Sequence, residues 1–250
     1  MNVRALVAEA IGTFILVGMG SMGVASAVII GQSAGLFAVM LIVPFAFGLG
    51  LLAAIAIAGE TSGGHFNPAV TLAAVIDRRL DWMSGIGYAI AQAVGAFAAS
   101  LFIQLTLSAQ FVKATVNQPI DIGTGSPDQY IRAFSVEIVL TAIFVAVILT
   151  VATRRPNAAL FVIPLTLMAI HFAGIPVSGA SVNPIRSLAP AVVSGTYDGL
   201  WVYVTAPFLG AILGWGLFRF FNPADEDLAG DDEDDDDLDE FEDDEELEPA

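Results

Sequence analysis

Six apolar stretches, most of them long enough to cross a bilayer, lie along the chain between short polar interruptions. Ala5 to Ser26 is the first, broken only by Glu9 and lightened by Gly12, Gly18, Gly20 and Gly23, small residues that let membrane helices approach closely. A link around Gly31-Gln32-Ser33 leads to the second, Leu36 to Ala58, which carries Pro44 and the run Phe45-Ala46-Phe47-Gly48. Trp82 to Thr106 is the third, with Trp82 and Tyr88 placed for an interfacial belt and Gln92 and Gln104 as its polar residues. The fourth, Tyr130 to Ala152, holds Glu137; the fifth, Ala159 to Phe172, holds Pro164 and His171; the sixth is Leu200 to Phe221. A spanning helix needs roughly 20 apolar residues, so the pattern predicts an all-α polytopic membrane protein.

Two further apolar runs are too short to cross. Asn67 to Ile76 gives ten residues before Asp77, and Asn183 to Val193 gives eleven before Ser194-Gly195. Each follows a small-residue loop, Ser62-Gly63-Gly64-His65-Phe66 or Ser178-Gly179-Ala180-Ser181-Val182, and each opens with Asn at a helix N-cap and Pro in the first turn. Broken helices at membrane depth are tolerated only where protein buries them or where they line a wet cavity. These two half-helices, near 67–76 and 183–193, therefore mark the expected pore.

The same features recur in two halves. Glu9-x-x-x-Thr13 is matched by Glu137-x-x-x-Thr141, and the Ser-Gly loops at Ser62 and Ser178 are 116 positions apart. Three spans and a half-helix, repeated once, place the second half upside down relative to the first, an inverted repeat with its site at the junction. The boundaries read as a first repeat over 1–107, a connecting loop over 108–129, a second repeat over 130–222 and a tail over 223–250. On this topology the inner loops hold Arg4, Arg78, Arg79, Arg154, Arg155 and Arg219, the outer ones only Lys113 and Arg132. That bias puts both termini in the cytoplasm, and the expected location is the plasma membrane, as a multi-pass protein.

Composition changes the picture in one respect. The formal net charge is −17, but eighteen of the 26 acidic residues fall between Asp225 and Glu248, so the body is nearly neutral. Mean hydropathy is +0.76 and 56% of residues are hydrophobic, far more than a soluble domain of this size carries. Mutual repulsion and four scattered apolar residues predict that the tail is a disordered cytoplasmic appendage. Its acid-rich character resembles that of proteins from salt-loving microbes. Ala25-Ser26-Ala27 mimics a signal-peptide cleavage site, yet the first apolar run is too long, contains Glu9 and leads into more spans, so a retained span is expected.

No reaction centre is visible. Cys is absent, His65 and His171 are the only histidines, and the charged residues form no catalytic or metal cluster, so neither an enzyme nor a cofactor or metal is expected. Two helix N-termini meeting near mid-membrane would instead set up a positive potential that opposes cations. Asn67 and Asn183 cap those ends and aim amide donors at a transiting oxygen, while Pro68 and Pro184 fix the first turns. Backbone carbonyls of Gly63, Gly64, His65, Gly179, Ala180 and Ser181 are placed to form an extended ladder along the pore.

Ser62-Gly63-Gly64-His65-Phe66-Asn67-Pro68-Ala69-Val70-Thr71 and Ser181-Val182-Asn183-Pro184-Ile185-Arg186-Ser187 resemble the paired Asn-Pro-Ala (NPA) boxes of the aquaporin family, also called major intrinsic proteins, over essentially residues 4 to 221. The resemblance implies six tilted spans in a right-handed bundle with two re-entrant half-helices, a narrow pore in every subunit and a homotetramer in the lipid bilayer. It places the outer selectivity constriction on Phe47, His171, Ala180 and Arg186, a set similar to that of the water-selective branch. The glycerol-conducting branch would lack His at 171 and carry Asp where this chain has Ser187. It also puts Glu9 and Glu137 in the interior as structural carboxylates behind the pore. The second box departs from the family pattern at Ile185, where Ala is usual, and Ala180 widens the constriction slightly.

The expected function is a passive water channel that excludes protons and ions, with water as permeant and no nucleic-acid partner. A broader facilitator of small neutral solutes such as glycerol, urea or ammonia is the alternative. A secondary transporter would need an ionisable coupling site, which Glu9 or Glu137 would have to supply, and a structural membrane protein would conduct nothing.

Overall fold

A computed structural model of the chain describes residues 2–123 and 128–223; the acidic tail predicted to be disordered lies outside the described residues. The chain divides into a unit of residues 1–218, which holds the functional site, and a second of residues 219–250. Among the described residues all regular structure is helical, and six helices have the length and hydropathy of membrane spans.

The first half consists of α1 (Val3–Ala34), α2 (Leu36–Ala54), a wider π-type turn over Ile55–Gly59, the short α3 (Glu60–Ser62), the half-helix α4 (Pro68–Ile76) and α5 (Trp82–Thr106). A short α6 (Ala109–Ala114) lies in the connection to the second half, which consists of α7 (Gln129–Arg154), α8 (Ala159–Ser178), the half-helix α9 (Pro184–Ser194) and α10 (Leu200–Phe221). Three boundaries differ from the sequence reading. The link at Gly31-Gln32-Ser33 is helical, and α1 ends instead at Gly35, whose φ of 64° stops the helix. α8 runs through Phe172 and Pro176 to Ser178, ending where Gly179 turns left-handed at φ 78°. A proline one turn from a helix end removes only one backbone bond, so it did not mark the boundary. The connecting loop, expected without structure of its own, contains α6.

Close backbone packing makes the two halves correspond. A Cβ at Gly95 of α5 would lie 2.1 Å from the Ala10 carbonyl oxygen of α1, and one at Gly210 of α10 would lie 2.5 Å from the Ile138 carbonyl oxygen of α7. Ala10 and Ile138 each directly follow the buried glutamate of their half, so the same helix crossing is built twice. Other glycines of α1 seat side chains rather than helix backbone: a Cβ at Gly12 would clash with the Phe66 ring, and one at Gly20 with the Phe47 ring. Each half-helix packs across the repeat, α4 against α7 and α9 against α5, as well as against each other.

Arg79, just past α4, bonds Thr153 of α7, Arg4 and Thr61 line one surface groove, and Glu60 and Pro156 border one cavity. Arg79 is thus held at the end of α7 that leads to Arg154 and Arg155, while Arg186 bonds Thr115 O just beyond α6. Asp77, the C-cap of α4, accepts from Arg79 Nε at 2.6 Å and from Trp215 Nε1 at 3.0 Å, tying the half-helix end to α10.

Ile185 is 6% exposed and belongs to a small cluster with Val17, Ala96, Ala99 and Ala189. The alanines of α5 supply the room that the larger side chain needs, so no overpacking is imposed on the half-helix junction. Ile185→Ala is expected to leave a cavity costing about 1–3 kcal/mol in an apolar site that partly relaxes. Thermal unfolding in detergent should show that loss, with water permeability per assembled channel unchanged; faster conduction at equal stability would place Ile185 in the pore.

Candidate functional site

The loops ahead of the two half-helices are strained in the same way. Phe66 and Val182 have φ of 48° and 46°, a left-handed conformation that costs on the order of 1–3 kcal/mol and that a β-branched residue rarely adopts. What holds them is a buried carboxylate behind each loop. Glu9 Oε1 accepts from Ser62 Oγ at 2.6 Å and His65 N at 3.0 Å, and its Oε2 from Phe66 N and Gln92 Nε2, both at 2.7 Å. Glu137 Oε1 accepts from Ser178 Oγ at 2.7 Å and Ser181 N at 2.8 Å, and its Oε2 from Val182 N at 2.8 Å. Four donors match the lone pairs of an ionised carboxylate, which is why Glu9 can be fully buried at bilayer depth.

The carbonyls of the same strained residues are held from the opposite half. Asn67 Nδ2 donates to Val182 O at 2.7 Å, and Asn183 Nδ2 donates to Phe66 O at 2.9 Å. Each asparagine also caps its own half-helix: Asn67 Oδ1 accepts from Ala69 N at 2.9 Å, Asn183 Oδ1 from Ile185 N at 3.2 Å and Arg186 N at 3.4 Å. A carboxamide has two N–H donors, so one on each asparagine is committed across the repeat and one remains for a permeant.

Both asparagines line a narrow cavity of about 20 Å³, room for about one water. Gly64, His65, Ser181 and Val182 border its middle, and Phe47, His171 and Arg186 border it further along. Wider cavities of about 440 Å³ and 270 Å³ lie on either side, the first reached past Gly63, Gly64 and His65, the second past Gly179 and Arg186. His65 Nδ1 is 3.1 Å from Thr71 Oγ1, and the ring meets Tyr88 edge-on at 5.3 Å, which fixes how it faces the inner cavity.

Phe47 of α2, His171 of α8 and Arg186 of α9 meet although they are far apart in the sequence. The Phe47 and His171 rings stack with centroids 4.4 Å apart, and Arg186 Cζ lies 4.6 Å from the Phe47 centroid, a cation–π arrangement. His171 Nδ1 lies 2.8 Å from Leu167 O. A carbonyl only accepts, so the neutral ring carries its hydrogen on Nδ1 and presents Nε2 as an acceptor.

Two expectations are corrected. Ala180 is fully buried with its methyl against Gly174 of α8, so it borders neither the constriction nor the narrow cavity. The extended carbonyl ladder is replaced by a left-handed one: Gly63, Gly64 and Gly179 have φ of 90°, 67° and 78°, Ala180 has 51°, and Gly179 O already accepts from Asn117. The paired left-handed residues Gly63-Gly64 and Gly179-Ala180 turn the loops in place, whereas fully extended backbone would carry them on. Sequence reasoning missed Asn117, Thr115, Gln92, Thr71 and Tyr88 as members of this network. Gln92 stood out as a polar residue of a span, Tyr88 was expected in an interfacial belt but is buried and donates to Ser62 O at 2.8 Å, and Asn117 looked like one more polar residue in a loop.

Glu9→Gln tests the carboxylate support. Ser62 can turn its hydroxyl and Gln92 its amide to suit a carboxamide, leaving one backbone N–H facing an NH₂, at about 1–3 kcal/mol. Glu9→Leu orphans the N–H groups of both His65 and Phe66 and should prevent assembly. Thermal unfolding of both variants in detergent, beside size-exclusion chromatography, checks this order.

Comparison with known proteins agrees with this architecture. A family model described as "Major intrinsic protein" matches residues 1–218. "Glycerol uptake facilitator protein-like 6" of Lactiplantibacillus plantarum is 38% identical over 218 residues, covering 84% of this chain and 94% of the relative. "Aquaporin Z" of Photorhabdus laumondii subsp. laumondii is 38% identical over 227 residues, covering 86% and 96%. The solved structure of the aquaglyceroporin from Plasmodium falciparum superposes with a TM-score of 0.75 at 23% identity, over 86% of this chain and 95% of that one, which shows the shared fold. A family match over nearly the whole body, relatives at this identity, and six spans with two re-entrant half-helices lead to one conclusion: the chain belongs to the major intrinsic protein, or aquaporin, family of membrane channels.

Proposed function

We propose that the chain is a passive water channel that rejects ions and protons, with Phe47, His171 and Arg186 as its outer constriction and Asn67 and Asn183 at its centre. The observation that carries this reading is the size of the narrow cavity, about 20 Å³, beside the Phe47–His171 stack. Water fits that space; a three-carbon polyol does not, unless the side chains part. Arg186 places a fixed positive charge at the entrance, and the α4 and α9 N-termini add the positive ends of two helix dipoles near the asparagines. A water that accepts from both remaining asparagine N–H groups cannot also accept a proton from its neighbours, which interrupts a proton wire. The same reading places both termini in the cytoplasm, by the basic bias of the inner loops, and several copies of the chain side by side in the plasma membrane.

A facilitator of small neutral solutes is the second reading. It is favoured by the relative named for glycerol uptake and by the absence of a side chain from position 180 at the constriction. Under it, Phe47 and His171 move apart to admit a solute.

Proteoliposome swelling measured beside glycerol uptake separates the two. The native protein is expected to give a low glycerol-to-water permeability ratio, and Phe47→Ala/His171→Gly a ratio raised at least about tenfold, as expected for a barrier lowered by about 1.4 kcal/mol. Proton leak should stay low in the variant because the half-helix ends are untouched. A high native ratio selects the facilitator; an unchanged low ratio in an assembled variant removes these two residues from the constriction.

A further inference from the structure

We propose that Asn117, in the connection between the halves, is a specificity-determining residue that positions Arg186 and withholds an acceptor from solutes at the outer mouth. The inference rests on the reading of Arg186 as part of the constriction.

Asn117 is 4% exposed although it lies outside any helix. Its Oδ1 accepts from Arg186 Nη1 and from Ser187 Oγ, the latter at 2.7 Å, and its Nδ2 donates to Gly179 O at 3.0 Å. A single carboxamide therefore bonds the second re-entrant loop on both sides of Asn183. Arg186 Nη1 also donates to Thr115 O at 3.3 Å, so the connection takes up that end of the guanidinium twice. Arg186 Nε is buried without a hydrogen-bond partner in the protein, so the fork's remaining donors are those left to meet a permeant.

The segment that carries Asn117 is itself fixed. Ile120 N donates to Val177 O at 3.0 Å, and Pro119 packs so closely on Gly199 that a Cβ there would come within 2.6 Å of the proline ring. Gly179 is shaped to receive the amide: with φ of 78°, its absent Cβ would stand 2.8 Å from Asn117 Nδ2. Loop, arginine and glycine thus form one fitted unit.

The chemical effect is a subtraction. Asn117 occupies one acceptor, Gly179 O, and one donor group, Arg186 Nη1, both beside the outer cavity. Water passes with few partners. A polyol, which must replace several hydrogen bonds at once, loses an acceptor for its hydroxyls and meets an arginine that cannot swing aside.

The test compares native protein, Asn117→Ala and Asn117→Asp in proteoliposomes, with water and glycerol permeability normalised to assembled protein. Asn117→Ala frees both Gly179 O and Arg186 and should raise the glycerol-to-water ratio about tenfold. Asn117→Asp keeps both acceptor bonds but lacks the Nδ2 donor, so its ratio should fall between native and Asn117→Ala. A merely structural role would lower both permeabilities together, so a native ratio in Asn117→Ala overturns the proposal, as does Asn117→Asp behaving like Asn117→Ala. Should Asn117→Ala not assemble, Asn117→Ser carries the same comparison, its hydroxyl being too short to span arginine and glycine together. The native ratio alone tests the water-selective reading; the variant-to-native quotient tests Asn117, so each can fail without the other.

Discussion

Everything at the pore depends on two carboxylates that never touch it. Glu9 and Glu137 are fully buried, and each binds consecutive backbone amides of a loop whose conformation would not persist alone. A buried charge is costly unless its lone pairs are satisfied, and a loop at membrane depth is costly unless its N–H groups are. Each cost is met by the other. The surplus holds Phe66 and Val182 in a strained left-handed conformation, which turns the chain sharply enough for Asn67 and Asn183 to start half-helices at mid-membrane.

The two halves are then locked by exchange rather than by apposition. Phe66 is held at its N–H by Glu9 from its own half and at its carbonyl by Asn183 from the other; Val182 is held by Glu137 and Asn67 in the same manner. Neither re-entrant loop is complete without its counterpart. The N–H left on each asparagine is therefore placed by contacts from both halves, which is the sense in which the centre is preorganised.

Symmetry ends at the mouth that Arg186 borders. Glu9 has Gln92 as a fourth donor, whereas the second repeat has Pro207, with no side-chain donor, at the comparable position; Arg186 and Asn117 have no partners of their kind in the first repeat. One side of the pore thus narrows on an arginine, a histidine and a phenylalanine, while the other opens past His65 and two glycines into the larger cavity. Equivalent backbones carry inequivalent mouths because backbone geometry is set by the repeated carboxylates, and the mouths by side chains that differ between the repeats and by the connection that carries Asn117.

Local signals determined much of this. Hydropathy alone marked six spans, the Asn-Pro caps marked two half-helices, and the paired Glu-x-x-x-Thr motifs marked the inversion, because helix starts, apolar length and chain repetition are properties of neighbouring residues. Helix ends were less legible: Gly31-Gln32-Ser33 looked like a link and proved helical, since tertiary packing decides whether a weak breaker breaks. The site divided along the same line. Asn67 and Asn183 announced themselves by local capping chemistry, and Phe47, His171 and Arg186 could be placed only through a family resemblance. That Ala180 turns its methyl away, that His171 presents an acceptor, and that Asn117 grips Arg186 were decided by tertiary structure alone. Each depends on which distant backbone atom lies within 3 Å of a side chain, a distance set by the crossing of helices dozens of residues apart and written in no local stretch of sequence.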